Sequence, residues 1–325
     1  MAETEFIGAI DLGGTKILSL VVDMNLRVVA TDMRPTEAER GPDAVIVRMA
    51  DSLRASAAGR TLMAAGVSTP GPCNPVQGIV TTAPNLPGWR DVHLAQRISD
   101  AIGIPAWIEN DANAAAIAEH RLGAGRGASH LVLVALGTGI GGGLVLNGQI
   151  YHGASGAAGE IGHMQLVRDG PLCGCGRHGC LEALASGSAL GRIAAAIIEA
   201  EPDGALARIS RDEGEAPSAL TLEKAAAAGD ISAAKAIHEA ALHLGAGLTN
   251  LVDIFNPEVV AVSGNLRKLE GYLSVAIEVV RREAYRQASD DVRIVETELG
   301  DDAAALGATL IAFERLGESP GERLA

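Results

Sequence analysis

Two glycine-rich turns, each preceded and followed by apolar residues, constrain the fold of this 325-residue chain more than any other feature. The first turn lies in Asp11–Lys16 and the second in Gly137–Gly143. The pattern of strand, turn and strand therefore occurs at residues 6–23 and again at residues 130–146. We interpret it as a weak internal repeat, which predicts two similar α/β domains.

Hydrophobic periodicity predicts the elements of these domains. Apolar runs indicate strands at Phe6–Ile10, Ile17–Asp23, Arg27–Arg34, Leu62–Val67, Ala106–Glu109, His130–Leu136, Leu144–Leu146, Val259–Ser263 and Val292–Val295. Helical spacing indicates helices at Pro42–Ala58, Asp111–Leu122 and Asp301–Leu316. The three prolines of Ser68–Pro75 predict a loop without regular structure. We expect an N-terminal α/β domain at residues 1–122, joined by the C-terminal helix at 301–325, and a larger α/β domain at 123–300.

Charge and composition limit the partners of the chain. Its 26 basic residues face 40 acidic ones, for a net charge of −14, and only 2% of its residues are aromatic. Such a surface repels phosphate backbones and offers few rings to stack on bases, so we expect no nucleic-acid partner. The apolar stretch Leu131–Ile150 contains six glycines, which disfavour a membrane-spanning helix. The acidic N-terminus lacks a signal-peptide pattern, and we expect a cytoplasmic protein with no membrane partner.

The glycine turns are suited to binding phosphate groups. In the first turn, backbone amides at Gly13, Gly14 and Thr15 can point at phosphate oxygens without a side chain in the way. Asp11 follows the first strand and can hold Mg²⁺. The second turn offers similar amides and the Thr138 hydroxyl. Each turn alone is equally compatible with an ordinary glycine-rich hairpin, and neither matches a Walker A loop or a dinucleotide fingerprint.

Asp111 lies in Glu109–Asn113, where a predicted strand meets a predicted helix. Two interpretations remain open at this point. Asp111, or equally Asn110, can cap the helix that follows, a role worth about 1 kcal/mol. Alternatively, Asp111 acts as a general base that takes the proton from an attacking hydroxyl.

Three cysteines fall within eight residues, at Cys173, Cys175 and Cys180. This density predicts a tetrahedral zinc site of three thiolates and one imidazole, because Cys-x-Cys side chains rarely form a disulfide with each other. His163 is our fourth ligand, and His178 is the competing candidate. Free thiols are the alternative interpretation of the cluster.

Together these residues resemble the ROK family of sugar kinases, and within it the zinc-bearing bacterial glucokinases. The Glu-x-Gly-His element followed by Cys-x-Cys-Gly-x-x-Gly-Cys-x-Glu carries most of the specificity. The matching segments run in order along nearly the whole chain: Asp11–Lys16, Ser68–Pro72, Glu109–Asn113, Leu136–Gly143, Glu160–His163, Cys173–Cys180 with Glu182, and Gly300–Ala305.

The resemblance implies an α/β fold of the actin-like (ribonuclease H-like) sugar kinase type, with two domains around a cleft. It implies ATP and Mg²⁺ as cofactors, a structural Zn²⁺ in a knuckle at residues 163–182, and a homodimer or homotetramer. By position, Asp111 resembles the catalytic base. The implied sugar-binding residues are Gly71, Asn85, Asn110, Asp111, Glu160, His163 and Glu182. The implied nucleotide- and Mg²⁺-binding residues are Asp11, Gly13, Gly14, Thr15, Lys16, Gly137, Thr138, Gly139 and Gly264.

Two positions depart from the family pattern. Ser263 precedes Gly264 where the family usually has a pair of glycines beside the adenosine. Pro72 follows Gly71 where the vertebrate N-acetylmannosamine kinases have arginine, which favours an unsubstituted hexose. The resemblance thus implies an ATP-dependent hexose kinase acting on the 6-hydroxyl of glucose.

Other functions remain as alternatives. Within the kinases, the alternative is phosphorylation of N-acetylglucosamine or N-acetylmannosamine. From a different class, a catalytically silent sugar-binding or regulatory ROK protein is the alternative. The family's repressors carry a helix-turn-helix before the first turn, whereas ten residues precede Asp11 here, so we do not expect DNA binding.

The predicted zinc has a structural role. Four protein ligands leave no open position for water, so the metal would not take part in the chemistry. It would fix the segment that carries Glu160 and Glu182, both of which must stay close to the sugar. From the sequence, we therefore expect metal loss to weaken sugar binding first, with the phosphate turns remaining formed.

Overall fold

The computed structural model describes residues 5–83 and 85–317, and its strands form three sheets. Pro84 of the predicted sugar-binding segment Ala83–Pro87, and residues 318–325 of the predicted C-terminal helix, lie outside the described residues. The strands are β1 (Phe6–Leu12), β2 (Lys16–Asp23), β3 (Val28–Pro35), β4 (Leu62–Thr69), β5 (Cys73–Asn74), β6 (Ile79–Thr82), β7 (Arg90–Val92), β8 (Ala106–Asn110), β9 (Leu131–Leu136), β10 (Ile140–Leu146), β11 (Gln149–Ile150), β12 (Val259–Ser263) and β13 (Arg293–Glu296).

The helices cover or connect these sheets. They are α1 (Gly41–Ala57), α2 (Leu94–Ile102), α3 (Asp111–Leu122), α4 (Leu181–Ala185), α5 (Gly187–Ala200), α6 (Ala205–Glu213), α7 (Ala219–Ala227), α8 (Ile231–Phe255), α9 (Tyr272–Glu283), α10 (Arg286–Asp291) and α11 (Ala303–Arg315). Among the described residues, no helix is both long and apolar enough to span a bilayer.

The two large sheets have the same strand order. One runs β3-β2-β1-β4-β8 and the other runs β11-β10-β9-β12-β13. In the first, β1 pairs antiparallel with β2 and parallel with β4, which is parallel to β8. In the second, β12 pairs parallel with both β9 and β13. The repeat predicted from the two turns is thus confirmed in the strand order, since each turn joins the corresponding pair of strands.

The chain divides into two compact units, and the division passes through β10. The first unit comprises residues 1–127, 143–159 and 298–325, and the second comprises 128–142 and 160–297. This differs from the expectation of one continuous domain at 123–300. Residues 143–159 belong with the first unit because Gly143 packs closely on α3 and His152 is hydrogen-bonded to Glu109.

The C-terminal helix α11 is part of the core of the first unit. A Cβ at Gly66 of β4 would lie 1.8 Å from the backbone oxygen of Ala308, and a Cβ at Gly307 would lie 1.8 Å from that of Ala114. Glycine is therefore required at both places for α11 to pack on β4 and α3. The helix begins at Ala303, not at Asp301, because Gly300–Asp302 form a 3₁₀ turn.

The structure corrects two further predictions made around the turns and loops. The proline-rich segment contains a short strand, β5, which pairs with β6 through Cys73 and Asn74, residues that carry the N–H groups prolines lack. The second glycine turn is shorter than predicted, because Ile140–Gly143 already belong to β10. Only Gly137, Thr138 and Gly139 form the turn, which we call the phosphate turn from here on.

Candidate active site

Asp11 lies near the end of β1 beside the first glycine turn. The Ser68 hydroxyl donates a hydrogen bond to Asp11 Oδ1 at 2.8 Å, and Lys16 Nζ lies 3.3 Å from Asp301 Oδ2. Burial raises the pKa of Asp11 above its ordinary value, against the opposing effects of the Ser68 hydrogen bond and the Lys16 charge. A carboxylate held in such a place gains from a cation, which supports the expectation that Asp11 contacts Mg²⁺.

Three hydrogen bonds hold the backbone of the first turn, and Thr36 donates two of them. Gly13 N donates to Lys16 O at 2.9 Å, Thr36 Oγ1 donates to Gly13 O at 2.8 Å, and Thr36 N donates to Thr15 O at 2.9 Å. A Cβ at Gly14 would contact the side chain of Asn85 at 3.6 Å. The structure therefore brings Asn85, a predicted sugar ligand, next to a predicted phosphate-binding turn.

Asn110 is the residue that caps α3. Its Oδ1 accepts hydrogen bonds from Ala112 N at 3.0 Å and Asn113 N at 3.1 Å, and its Nδ2 donates to Gly71 O at 3.2 Å. Gly71 has a φ of +79°, and a Cβ there would lie 2.3 Å from Thr82 O, so glycine is required. Asn110 and Gly71, both predicted sugar ligands, are therefore in direct contact.

Asp111 is the first residue of α3, so of the two capping candidates it is Asn110 that fills the N-cap position. Asp111 Oδ1 accepts a hydrogen bond from its neighbour Ala112 N at 2.8 Å. Burial raises the pKa of Asp111 to about 6, and the negative charge of Asp11 adds to this, while the Ala112 amide opposes it. A carboxylate with a pKa this close to neutrality is well suited to exchange protons with a hydroxyl.

Glu109 was not singled out by the sequence analysis. This carboxyl is only 3% exposed, and it accepts hydrogen bonds from Asn110 N and Asn113 Nδ2, both at 3.0 Å, and pairs with His152 Nε2 at 2.7 Å. The hydrogen bond to Glu109 raises the pKa of His152 above its ordinary value. The available signal was a charged residue at the end of an otherwise apolar strand, which requires a buried partner.

The phosphate turn belongs to the second unit. Gly137 N donates to Gly139 O at 3.0 Å. Two amides at the start of α5 hold the turn from outside: Gly187 N donates to Gly137 O at 2.9 Å and Ser188 N donates to Thr138 O at 3.0 Å. Glu182 Oε2 accepts a hydrogen bond from Ile140 N at 2.9 Å.

An open cavity of about 860 Å³ lies beside the phosphate turn. Its size suits a nucleotide, and small side chains dominate its lining: Gly137, Thr138, Gly187, Ser188, Gly191, Arg192, Ala195, Pro217, Ser218, Ala219, Leu220, Gly264, Asn265 and Leu266. Gly264 has a φ of +86°, and a Cβ there would lie 2.0 Å from Leu136 O. Position 264 therefore requires glycine, and the chain has glycine there. The departure from the family pattern is at position 263 only.

The predicted metal ligands come together in the second unit. His163, Cys173, Cys175 and Cys180 each offer a ligand atom, and these atoms all lie within 4.8 Å of one another. Cys173 Sγ is 3.7 Å from His163 Nδ1, and Cys175 Sγ is 3.8 Å from Cys180 Sγ. Sulfurs on a tetrahedral zinc, at about 2.3 Å from the metal, are separated by roughly 3.8 Å. We call these four residues the Cys₃His cluster.

The chemistry of the cluster favours a cation. Burial raises the pKa of Cys173 and Cys180, whereas the Arg177 amide lowers the pKa of Cys175 to about 6. A divalent cation would stabilise all three thiolates. The competing ligand, His178, contacts Gly170 O through Nδ1 at 3.0 Å. Among the other predicted sugar ligands, Glu160 Oε2 is 3.8 Å from His163 Nε2.

Comparisons with known proteins identify the family of the chain. The family model described as the ROK family matches residues 7–315, and the chain belongs to that family. A glucokinase from Streptomyces coelicolor is 34% identical over 316 residues, covering 94% of this chain and 96% of the relative.

Solved structures extend the likeness to the fold. The crystal structure of a ROK hexokinase from Thermus thermophilus has a TM-score of 0.82 and 36% identity, covering 96% of this chain and 99% of that one. A ROK family glucokinase from Streptomyces griseus, in complex with glucose and AMPPNP, has a TM-score of 0.76 and 31% identity, covering 95% and 99%. The predicted fold class, a mixed α/β fold of the actin-like sugar kinase type, is thereby confirmed.

Proposed function

We propose that this chain transfers the γ-phosphate of ATP to the 6-hydroxyl of glucose, with Asp111 as the general base. That it is an ATP-dependent hexose kinase follows from its near full-length likeness to glucokinases and ROK hexokinases. The observation that carries the finer proposal is the state of Asp111. It is a partly buried carboxyl at the start of α3 with a pKa of about 6, while the capping role is filled by Asn110.

The chain's own residues can divide the work of the transfer. Asn110, Asn85 and Gly71 on the first unit, and Glu160 and His163 on the second, would orient the sugar hydroxyls. Asp111 would accept the proton of the attacking hydroxyl as the phosphoryl group is transferred. The amides of the two glycine turns other than those of Gly13 and Gly137, which donate to backbone oxygens nearby, would hold the phosphate oxygens. Mg²⁺ held near Asp11 would neutralise phosphate charge when bound.

The Cys₃His cluster fits a structural zinc. Three thiolates and one imidazole complete a tetrahedral shell, so its contribution would be to hold the surrounding segments in place. Metal-bound thiolates fit the reducing cytoplasm, where we place the protein. We also expect a homodimer or homotetramer, which light scattering on the purified protein would measure.

A coupled assay of ADP release tests the proposed substrate. Purified protein with Mg²⁺ and ATP is given glucose, mannose, fructose, N-acetylglucosamine, N-acetylmannosamine or 6-deoxyglucose. We expect glucose to give the highest kcat/KM and 6-deoxyglucose, which lacks the acceptor hydroxyl, to give no stimulation. A preference for an N-acetylhexosamine would replace glucose as the substrate. Absence of stimulation by every sugar would refute the kinase proposal.

A further inference from the structure

Glu182 makes a contact that sugar binding does not explain. Its Oε2 accepts a hydrogen bond from Ile140 N, the first residue after the phosphate turn, at 2.9 Å. A Cβ at Gly139 would lie only 2.4 Å from the same oxygen. The carboxylate therefore occupies the space that a side chain at position 139 would need, and it is packed directly against the turn.

The other side of Glu182 faces the Cys₃His cluster. Glu182 Oε1 lies 3.7 Å from Cys173 Sγ. The helix that carries Glu182, α4, begins immediately after the cluster residue Cys180, and Leu181 N donates to Met164 O at 2.8 Å. The Glu182 side chain thus contacts both the cluster and the phosphate turn. Cys180, a member of the cluster, directly precedes the helix that carries Glu182.

The segment after α4 holds the rest of the turn. Gly187 N and Ser188 N donate to Gly137 O and Thr138 O, respectively. With the Glu182 contact, residues 182–188 make two hydrogen bonds to the turn and one to Ile140 directly after it, and the turn includes only one residue with a side chain. Such a turn has little of its own to fix the direction of its amides, so contacts from outside must do so.

We propose that Glu182 is a positioning residue for the phosphate turn, and that through it the Cys₃His cluster controls nucleotide affinity. This rests on the proposed function in one respect, the use of the turn to bind phosphates. It departs from the expectation from the sequence, in which metal loss affects sugar binding first and leaves the phosphate turns formed. In the structure, Glu182 contacts Cys173 of the cluster through one carboxylate oxygen and Ile140 N, next to the phosphate turn, through the other.

Equilibrium binding without any sugar separates this role from a sugar-binding role. The ligands are AMPPNP with Mg²⁺ and, in parallel, adenosine, which lacks phosphates. We expect Glu182→Ala to raise the Kd for AMPPNP about tenfold, the loss typical of a charge-assisted hydrogen bond, with the Kd for adenosine unchanged. Glu182→Gln keeps an acceptor for Ile140 N and should stay within about threefold of wild type.

Glu160→Ala is the matched control. It removes another carboxylate beside the cluster, close to His163, but one without a contact to the phosphate turn among the hydrogen bonds and ion pairs of the described residues. We expect this variant to bind AMPPNP as wild type does. A wild-type Kd for AMPPNP in Glu182→Ala, or an equal weakening of AMPPNP and adenosine binding, would overturn the proposal.

Hydrogen exchange tests the link to the metal independently of nucleotide binding and activity. In zinc-loaded protein, the Ile140 amide should exchange slowly, because it donates to Glu182. Chelation of the zinc, verified by elemental analysis, should speed exchange at Ile140 while amides in β1 remain protected. Unchanged protection of Ile140 in metal-free, folded protein would overturn the proposal, even if every sugar failed in the kinase assay.

Discussion

Asp111 and Asn110 divide two tasks at the start of α3, that of the proposed general base and that of the helix cap. A general base needs a pKa near the working pH, which burial provides by disfavouring the charged form. A helix start needs a capping side chain, and Asn110 supplies it from the preceding position. Because the two tasks fall on neighbouring residues, the base can be altered with little effect on the helix.

Replacing Asp111 by asparagine should therefore remove turnover and keep the fold. An amide cannot accept the hydroxyl proton, and general-base assistance is worth about 10²–10⁴-fold in rate. We expect kcat to fall by that range, with a circular dichroism spectrum and a melting temperature no lower than wild type. Asn110→Ser serves as the matched control, because serine keeps the cap but removes the amide that contacts Gly71. Asn110→Ser should raise the glucose KM more than it lowers kcat. A kcat near wild type in Asp111→Asn would rule out Asp111 as the general base.

The raised pKa of Asp111 also predicts a pH dependence. The base must be ionised, so kcat/KM should fall as the pH falls through about 6. The contribution of Asp111 to the stability of the folded state changes with pH in the opposite direction. The folded state holds this proton more tightly than the unfolded state, so Asp111 contributes a loss of stability as the pH rises from about 4 to about 6. Asp111→Asn should then melt at a higher temperature than wild type at pH 8, with a smaller difference at pH 4. An equal difference at both pH values would contradict the raised pKa.

The glycine turns that we propose for phosphate binding each join two neighbouring strands of one large sheet. Each turn is short because the strands on either side pair with each other, and each therefore presents backbone amides in place of side chains. Gly264, where the chain leaves β12, packs closely against Leu136, the residue directly before the second turn. The φ of +86° and the contact with Leu136 O leave no room for a side chain there.

Gly264→Ala should consequently disturb the nucleotide cavity, whereas Ser263→Gly should be tolerated. The added methyl group meets a backbone oxygen that cannot move independently of β9, and we expect a loss of about 3 kcal/mol in the free energy of unfolding. Chemical denaturation and AMPPNP binding measure the two effects. Ser263→Gly restores the usual pair of glycines, and its Kd should stay within about twofold of wild type, a change of under 1 kcal/mol. A stable Gly264→Ala that binds AMPPNP normally would show that the close approach is unimportant.

The sequence was most informative where chemistry depends on residues close together in the chain. Apolar runs located nine of the thirteen described strands to within a few residues and missed β5, β6, β7 and β11. Cys173–Cys180 with His163 predicted a cluster that the structure brings together. Contacts between distant segments could not be predicted in this way. Glu109 with His152, and Glu182 with Ile140, depend on how β10 and α4 pack, and a pattern of apolar positions carries no information about such pairings. The short strand β5 was missed for the same reason, because its partner β6 supplies the hydrogen bonds.

The whole molecule combines two large sheets of the same strand order with a cysteine-rich segment at residues 163–180 in the second unit. Both large sheets share one strand order, and the Cys₃His cluster lies in the second unit, for which the first has no counterpart among the described residues. The segment from 163 to 180 contains little regular structure and few buried apolar residues, as the small cluster of Cys173, Cys180 and Ala183 shows. Such a segment needs a covalent or metal link to remain ordered.

We therefore predict one zinc per chain, and a loss of both metal and sugar affinity when a ligand is removed. Elemental analysis of purified, tag-free protein should give about one zinc per chain, as a four-ligand site requires. Cys175→Ser should lower the zinc content and raise the glucose KM, since Glu160 and His163 lie at the cluster. Cys73→Ser is the matched control for zinc content, because Cys73 is a free cysteine in the other unit and is not a member of the cluster. Full activity with well under one zinc per chain would contradict a structural metal.

We propose that Asp111 accepts the proton of the glucose 6-hydroxyl as that oxygen takes the γ-phosphate of ATP. The most direct test is to identify the product by phosphorus NMR with proton coupling, using wild type and Asp111→Asn side by side. We expect wild type to convert glucose and ATP into ADP and a single phosphate ester coupled to the protons on carbon 6, and the variant to form the same ester far more slowly. A phosphate on any other carbon would contradict the proposed acceptor hydroxyl. Equal rates for the two proteins would contradict the role of Asp111 as the general base.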